Sequence, residues 1–364
     1  MSAPIIREAF VLSGPGDAER DVAGVPLLVR TILVLQRAGI ERCTVVGMPV
    51  PSDARIRCRV ESVPALVPQP DDAPRLIVGA GTVIDAALVR DLQARAGAGA
   101  ALELEHDGAR IRLAPGPLVA ANGVARLRPA AGTLRPASTP RGALEQTLLR
   151  GLENPHDGYL DRLIHRRLSR PLSGILLRTP LSPNAVTVLG IAIGVAGGLL
   201  LGAASEARVA LGVVLLVASG VLDCCDGELA RLRFAESRLG HLLDVTGDTV
   251  VHLAVLAGVA LRLTRAGTFP GWPTLALLLA GVLGAFAVIS WSDASTARRH
   301  RVDAWENALL DGVLSPLTTR DWHVFVVAFA VAGRLDLLVP AAAVGAQVFW
   351  ATVLVLVVRV LRRA

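Results

Sequence analysis

Asp223-Cys224-Cys225-Asp226-Gly227-Glu228-Leu229-Ala230-Arg231 is followed, after eight residues, by Gly240-His241-Leu242-Leu243-Asp244-Val245-Thr246-Gly247-Asp248. Asp223 and Asp226 are spaced i, i+3, so on a helix they share a face. Asp244 and Asp248 are spaced i, i+4 and do the same. An uncharged apolar run, 209–222, leads into the first pair, and another, 249–261, follows the second. The pattern predicts two antiparallel membrane helices joined by a short polar loop, with the carboxylate pairs at their ends. Both pairs then face each other at one depth. Ionisable groups at membrane depth are costly and mark function.

Clustered carboxylates repel one another unless a positive charge sits among them. Oxygen-only ligands suit hard cations such as Mg²⁺ or Mn²⁺. Two such ions, about 3.5–4 Å apart, form a clamp for displacement at phosphorus. Gly227 allows close backbone approach and Ala230 keeps that face open. Arg231, one turn beyond Gly227, is a candidate phosphate clamp.

The rest of the chain agrees with a membrane setting. Of 364 residues, 52% are hydrophobic and 19% charged, against about 25% charged in soluble domains. Residues 185–205 form 21 consecutive uncharged positions, enough to span about 30 Å at 1.5 Å per residue. Further spans are expected at 209–222, 249–261, 266–292, 322–333 and 337–358, for a total of six.

All 37 basic residues are Arg. The absence of Lys excludes a Walker-A lysine and Schiff-base chemistry. The net charge of +6 and pI near 10.2 reflect arginines flanking the spans. No nucleic-acid partner is expected, because 4% aromatic residues are too few for base stacking. The loops after 205, after 261 and after 333 carry only Arg208, Arg262, Arg265 and Arg334. The other segments carry arginines in clusters, at 162–178, 231–238, 298–301, 320 and 359–363. The positive-inside rule then puts both termini and the aspartates at the cytoplasmic face of the inner membrane. Residues 159–177 alternate apolar and Arg-rich positions at helical spacing, as expected of a helix lying on lipid headgroups. The four cysteines, Cys43, Cys58, Cys224 and Cys225, show neither zinc spacing nor a disulfide framework. Cys224 and Cys225 read as small packing residues, with a redox role as the alternative.

The amino-terminal part, 1–127, reads as α/β. Strands are expected at 9–12, 44–46 and 76–78, helices at 26–38 and from about 85, and a hairpin around Asp107-Gly108. Residues 128–154 read as a linker, Pro- and Ala-rich at first. The membrane part occupies 155–364.

The motif D-x2-D-G-x2-A-R-x8-G-x3-D-x3-D, complete from Asp223 to Asp248, resembles the signature of the CDP-alcohol phosphotransferase family. Ser182-Pro183-Asn184-Ala185-Val186-Thr187 is similar to that family's P-N-x-[VI]-T element. The resemblance implies a six-helix membrane protein, usually a homodimer, that transfers a phosphoalcohol from a CDP-alcohol to an acceptor hydroxyl and releases CMP. It implies two Mg²⁺ or Mn²⁺ ions on Asp223, Asp226, Asp244 and Asp248, with Asp248 as general base. Asn184, Ala185, Val186, Thr187, Gly227, Arg231 and Ser237 would hold the donor. Arg298, Arg299 and Arg301 are candidates for an acceptor pocket, or simply mark topology.

The segment from Ala23 to Val46 resembles the start of a sugar-phosphate nucleotidyltransferase, as fused in bifunctional inositol-phosphate cytidylyltransferase/di-inositol-phosphate phosphate synthases. Only Ser13-Gly14-Pro15-Gly16 remains of a phosphate loop, and Gly79-Ala80-Gly81 carries no metal-binding Asp. A reduced, non-catalytic domain is expected. The first-choice donor is CDP-diacylglycerol with an inositol-phosphate or glycerol-phosphate type acceptor. CDP-inositol is the alternative donor.

Overall fold

The computed structural model describes residues 6–12, 20–66, 75–95, 102–114, 125–126, 132–152, 165–268, 271–296 and 323–362. The chain forms two compact units. One comprises Met1–Glu153 with Ser173–Pro180 and Glu228–Ala235; the other comprises Asn154–Leu172, Leu181–Gly227 and Glu236–Ala364.

The first unit is α/β. Its elements are β1 (Glu8–Leu12), β2 (Asp21–Val22), β3 (Val25–Pro26), α1 (Leu27–Arg37), β4 (Arg42–Val46), β5 (Arg59–Val63), β6 (Arg75–Val78), β7 (Thr82–Ile84), α2 (Ala86–Arg95), β8 (Leu102–His106), β9 (Ala109–Ala114), β10 (Ala125–Arg126), β11 (Leu134–Pro136) and α3 (Arg141–Arg150). Seven strands form one sheet in the order β10-β8-β9-β6-β1-β4-β5. β1 lies inside the sheet and runs parallel to β4 and β6, with Ala9 opposite Cys43 and Phe10 opposite Ile77. Its Ala9, Phe10 and Val11 are buried, as suits a strand covered on both faces. α1 is the crossover from β1 to β4. It buries Leu27 to Leu35 and stops before Gly39, whose φ of +91° L side chains rarely adopt. β8 and β9 form the expected hairpin; Asp107 and Gly108 take φ of +50° and +88°, the geometry of a tight two-residue turn.

Two differences from the sequence reading have physical reasons. β5 was not expected because it is an edge strand with Arg59, Glu61 and Ser62 outward, which blurs its alternation. The stretch 128–154, expected as a linker, contains structure: β11 pairs antiparallel with β7, and α3 buries Leu144, Leu148 and Leu149. Three residues of strand held by one partner leave little periodicity to read.

The second unit is helical. Its elements are α4 (Arg166–Leu176, whose final residues count with the α/β unit), α5 (Pro183–Leu200), α6 (Glu206–Arg233), α7 (Arg238–Arg265), α8 (Trp272–Thr296), α9 (His323–Val331), a 3₁₀ turn (Leu335–Leu337) and α10 (Leu338–Arg362). Among the described residues, four stretches are long and apolar enough to cross a membrane: Pro183–Leu200, Glu206–Arg233, Arg238–Arg265 and Leu335–Leu356. α8 contributes a shorter apolar run, Trp272–Ala285. Val188, Leu199, Val214, Leu253 and Leu283 are exposed, as lipid-facing residues are.

α6 and α7 have 28 residues each, about 42 Å at 1.5 Å per residue. A hydrocarbon core of about 30 Å leaves room for polar turns beyond it. The aspartates therefore lie within these helices, not at their ends: α6 continues past Asp226 to Arg233, and α7 begins at Arg238, before Asp244.

α5 is the wedge between α6 and α7. Gly190, Gly194, Gly198 and Gly202 recur every four residues and form one stripe. Along it, Gly194 meets Ser219 of α6 and Val251 of α7, and Gly198 meets Ala254 and Val255. At the far end, Arg265 donates to the carbonyl of Gly202 at 2.8 Å, and Arg262 to that of Ala203 at 2.7 Å. These arginines, which topology alone would count against the outer face, satisfy carbonyls that the end of α5 leaves without helical donors.

α4 buries its polar side: His165 just before it, Arg166, Ser169 and Ser173 are buried, while Leu168 and Ile175 are exposed. His165 sits against Gly220 of α6, and the Cys225 thiol lies 3.6 Å from the carbonyl of Ser169.

Candidate active site

Asp223 projects from α6, and Asp244 and Asp248 from successive turns of α7. One carboxylate oxygen from each lies within 4.8 Å of the others. Three negative oxygens so close, all half-buried, attract a cation strongly, because charge interactions weaken less there than in water. The donor set is oxygen only, which fits a hard divalent ion. Asp226 is buried one turn further along α6, outside this trio.

A cleft opens beside the carboxylates. It is lined by Thr187, Gly190 and Ile191 of α5, Ser219 and Asp223 of α6, and Gly247, Asp248, Val251 and His252 of α7. Its shape depends on small residues: a side chain at Gly247 would collide with Ile191, and one at Gly194 with Ser219 and Val251. Ser219 donates to the carbonyl of Gly190 at 2.8 Å, which fixes α5 against α6 beside the site.

Local sequence explains how these helices start. Ser182 caps α5, accepting from the Ala185 amide at 3.2 Å, with Pro183 in the first turn. Ser237 caps α7, accepting from the Gly240 amide at 3.0 Å. Asn184 Oδ1 and Ser237 Oγ both border Gly240, so two of the residues expected to hold the donor meet at the start of α7. A helix start carries partial positive charge and free amides, which suit an anion.

The other expected donor residues divide. Thr187 is buried in the cleft and donates to the Pro183 carbonyl at 3.1 Å. Val186 is buried in packing and Ala185 is exposed. Gly227 and Arg231 follow Asp223 at i+4 and i+8 on α6, and are half-buried. Cys225 is fully buried and Cys224 partly, as packing residues would be. Arg298, Arg299 and Arg301 lie outside the described residues.

Ser219 and His252 were missed by the sequence reading. The signal was available: Ser219 precedes Asp223 by four residues, and His252 follows Asp248 by four. Each extends a carboxylate stripe by one helical turn.

The family model described as CDP-alcohol phosphatidyltransferase matches residues 180–362, just over half of the chain. The chain belongs to the CDP-alcohol phosphatidyltransferase family. Among curated members, it is similar to the bifunctional IPC transferase and DIPP synthase of Rubrobacter xylanophilus, 35% identical over 133 residues, covering 36% of this chain and 30% of that protein. It is also similar to phosphatidylinositol phosphate synthase of Mycobacterium tuberculosis, 35% identical over 101 residues, covering 28% of this chain and 46% of that protein. The matches thus span less than half of either relative's length. A solved structure, that of Mycobacterium tuberculosis phosphatidylinositol phosphate synthase in complex with manganese and citrate, matches at 22% identity and a TM-score of 0.36, covering 52% of this chain and 88% of that one. Family membership and the four apolar stretches identify an integral membrane protein.

Proposed function

We propose that this protein transfers a phosphoalcohol group from a CDP-alcohol to an acceptor alcohol and releases CMP, as a step in phospholipid synthesis. The observation that carries the reading is the convergence of Asp223, Asp244 and Asp248 beside a cleft. Family membership supports it. The donor is CDP-diacylglycerol, and the acceptor an inositol phosphate or glycerol phosphate. A relative named phosphatidylinositol phosphate synthase supports the inositol class. The second reading is a soluble donor, CDP-inositol, with an inositol phosphate acceptor. A relative named bifunctional IPC transferase and DIPP synthase favours it.

Asp223, Asp226, Asp244 and Asp248 would hold two divalent ions, Mg²⁺ or Mn²⁺. When bound, such ions neutralise a diphosphate and stabilise the charge on departing CMP. Asp248 takes the proton from the acceptor hydroxyl at a carboxylate oxygen. The acceptor oxygen then bonds to the phosphorus on the alcohol side of the diphosphate. The bond from that phosphorus to the bridging oxygen breaks, and CMP leaves with the electron pair. Asn184 and Ser237, bordering the start of α7, orient the CMP portion together with Thr187, Gly227 and Arg231. The half-buried surroundings limit access of water, which would otherwise compete as acceptor.

In this reading the chain crosses the inner membrane six times, and both termini and the site face the cytoplasm. α4 lies on the headgroups with Leu168 and Ile175 in lipid, and two chains pair as a homodimer. The α/β unit is a reduced nucleotidyltransferase-like fold without catalysis. In support, the described residues that line the crevice at the carboxyl ends of β1 and β6 are Val11, Leu12, Leu27, Leu28, Thr31, Gly79, Gly81 and Thr82, none of them ionisable.

The test is to incubate purified protein and Mg²⁺ with radiolabelled CDP-diacylglycerol or CDP-inositol, each against inositol phosphate and glycerol phosphate. Release of CMP with one pair is expected. No release with any pair contradicts the proposal.

A further inference from the structure

The edge of the sheet in the α/β unit brings two cysteines together. β4 alternates, so Cys43 and Val45 point to one face, where both are buried in the same core as Ile32 and Leu35 of α1. Cys58 stands one residue before β5, outside the strand ladder, and packs half-buried against that core. Gln36 of α1 fixes its backbone: Gln36 Oε1 accepts from the amides of Arg57 at 2.5 Å and Cys58 at 2.9 Å, and Nε2 donates to the Arg55 carbonyl at 3.1 Å. The two sulfurs lie 3.9 Å apart, and both are thiols.

A cysteine that only fills space needs neither access to water nor a second sulfur. This pair has both: Cys58 borders solvent, and Cys43 is sealed behind it. A disulfide bond is about 2.0 Å long, so the sulfurs must approach by about 2 Å to bond. Rotation of the Cys58 side chain can supply that movement, because the residue lies outside the ladder and beside solvent. The thiolate is the form that attacks an oxidant. The hydrogen bond shared with Cys43 brings the Cys58 thiol down to about 7, so the accessible sulfur is also the reactive one.

We propose that Cys43 and Cys58 are a modification site, a thiol pair that hydrogen peroxide closes to an intramolecular disulfide. The Cys58 thiolate attacks one oxygen of the peroxide. The O–O bond breaks, hydroxide leaves and takes up a proton to become water, and Cys58 is left as a sulfenic acid. The Cys43 sulfur then attacks the Cys58 sulfur. The S–O bond breaks, and the departing hydroxyl takes the Cys43 proton as a second water. Two thiols are oxidised and one peroxide is reduced to two waters. The new bond ties the start of edge strand β5 to β4. The site lies wholly within the α/β unit and stands apart from the transfer reaction.

The test treats the full chain in lipid nanodiscs with hydrogen peroxide, blocks the remaining thiols, and maps peptides by mass spectrometry without reductant. Cys43 and Cys58 are expected to be lost as free thiols one for one, into a single cross-linked peptide pair that dithiothreitol reverses. In Cys43→Ala the second step has no partner, so Cys58 should stop at the sulfenic acid and be captured by dimedone, which finds little of it in the wild type. In Cys58→Ala, Cys43 should keep its thiol. Three wild-type results would overturn the pair: Cys58 carried on to sulfinic or sulfonic acid while Cys43 stays a thiol, Cys58 joined to a second chain, or both thiols surviving a large excess of peroxide. The wild-type map decides alone should either variant fail to fold.

Discussion

Gly258 of α7 rests against the main-chain carbonyl of Gly198 in α5, backbone on backbone. A methyl group at Gly258 would overlap an oxygen that cannot rotate away, so the two helices would have to separate. That separation also widens the gap beside Asp248. Gly258→Ala should cost about 1–3 kcal/mol and lower transfer activity, read by thermal unfolding in detergent together with CMP release. Gly345 of α10 has open space where its side chain would be. Gly345→Ala should match the wild type in both measurements.

Asp248 lines the cleft and belongs to the carboxylate trio. Asp248→Asn keeps size and removes the proton acceptor. Transfer should fall by about 10²–10⁴-fold while the unfolding temperature stays near that of the wild type. Undiminished CMP release would remove Asp248 from the role of base.

The Cys43 and Cys58 sulfurs lie 3.9 Å apart in the α/β unit. The hydrogen bond shared with Cys43 holds the Cys58 thiol down to about 7, against the opposing effect of burial. The same contact, then burial, pushes Cys43 well up. Thiolate is the reactive form, so alkylation at pH 8 should label Cys58 before Cys43 and should slow as pH falls through about 7. Cys43→Ala removes the hydrogen-bond partner and should move the Cys58 midpoint up, toward 9.0, the ordinary thiol value. Peptide mass spectrometry after timed labelling reads both effects; first labelling at Cys43 would contradict this account.

Arg262 of α7 donates to the Ala203 carbonyl and pairs with Glu206, joining the ends of three helices. Its contribution is local and partly exposed to water. Arg262→Ala should therefore cost about 1 kcal/mol, a loss of about 2–4 °C in unfolding temperature, with CMP release unchanged per folded molecule.

The acidic site was readable in the sequence because helical spacing fixes which residues share a face, whatever packs around them. Asp244 and Asp248 needed nothing more than i, i+4 arithmetic, and Asp223 its place where an apolar run ends. The position of Asp226 outside the trio was not readable, since it depends on how α6 is rotated against α7. That rotation is set by the glycine stripe of α5, whose four-residue repeat was itself written in the sequence but gains meaning only from its neighbours. The spans also ended too early: polar residues after Asp223 continue the helix because Leu, Ala, Glu and Arg favour it outside lipid as well. In the α/β unit, β1, β4 and α1 were legible from their buried runs, whereas β5 and β11 draw their order from partners across the sheet.

In the proposed mechanism Asp223, Asp244 and Asp248 together hold a divalent cation. Mn²⁺ binding to the wild type and to the triple Asn variant, titrated in nanodiscs by electron paramagnetic resonance, tests it most directly. Saturable binding by the wild type and its loss in the variant is the predicted result. Equal binding by both proteins, or none by the wild type, would contradict it.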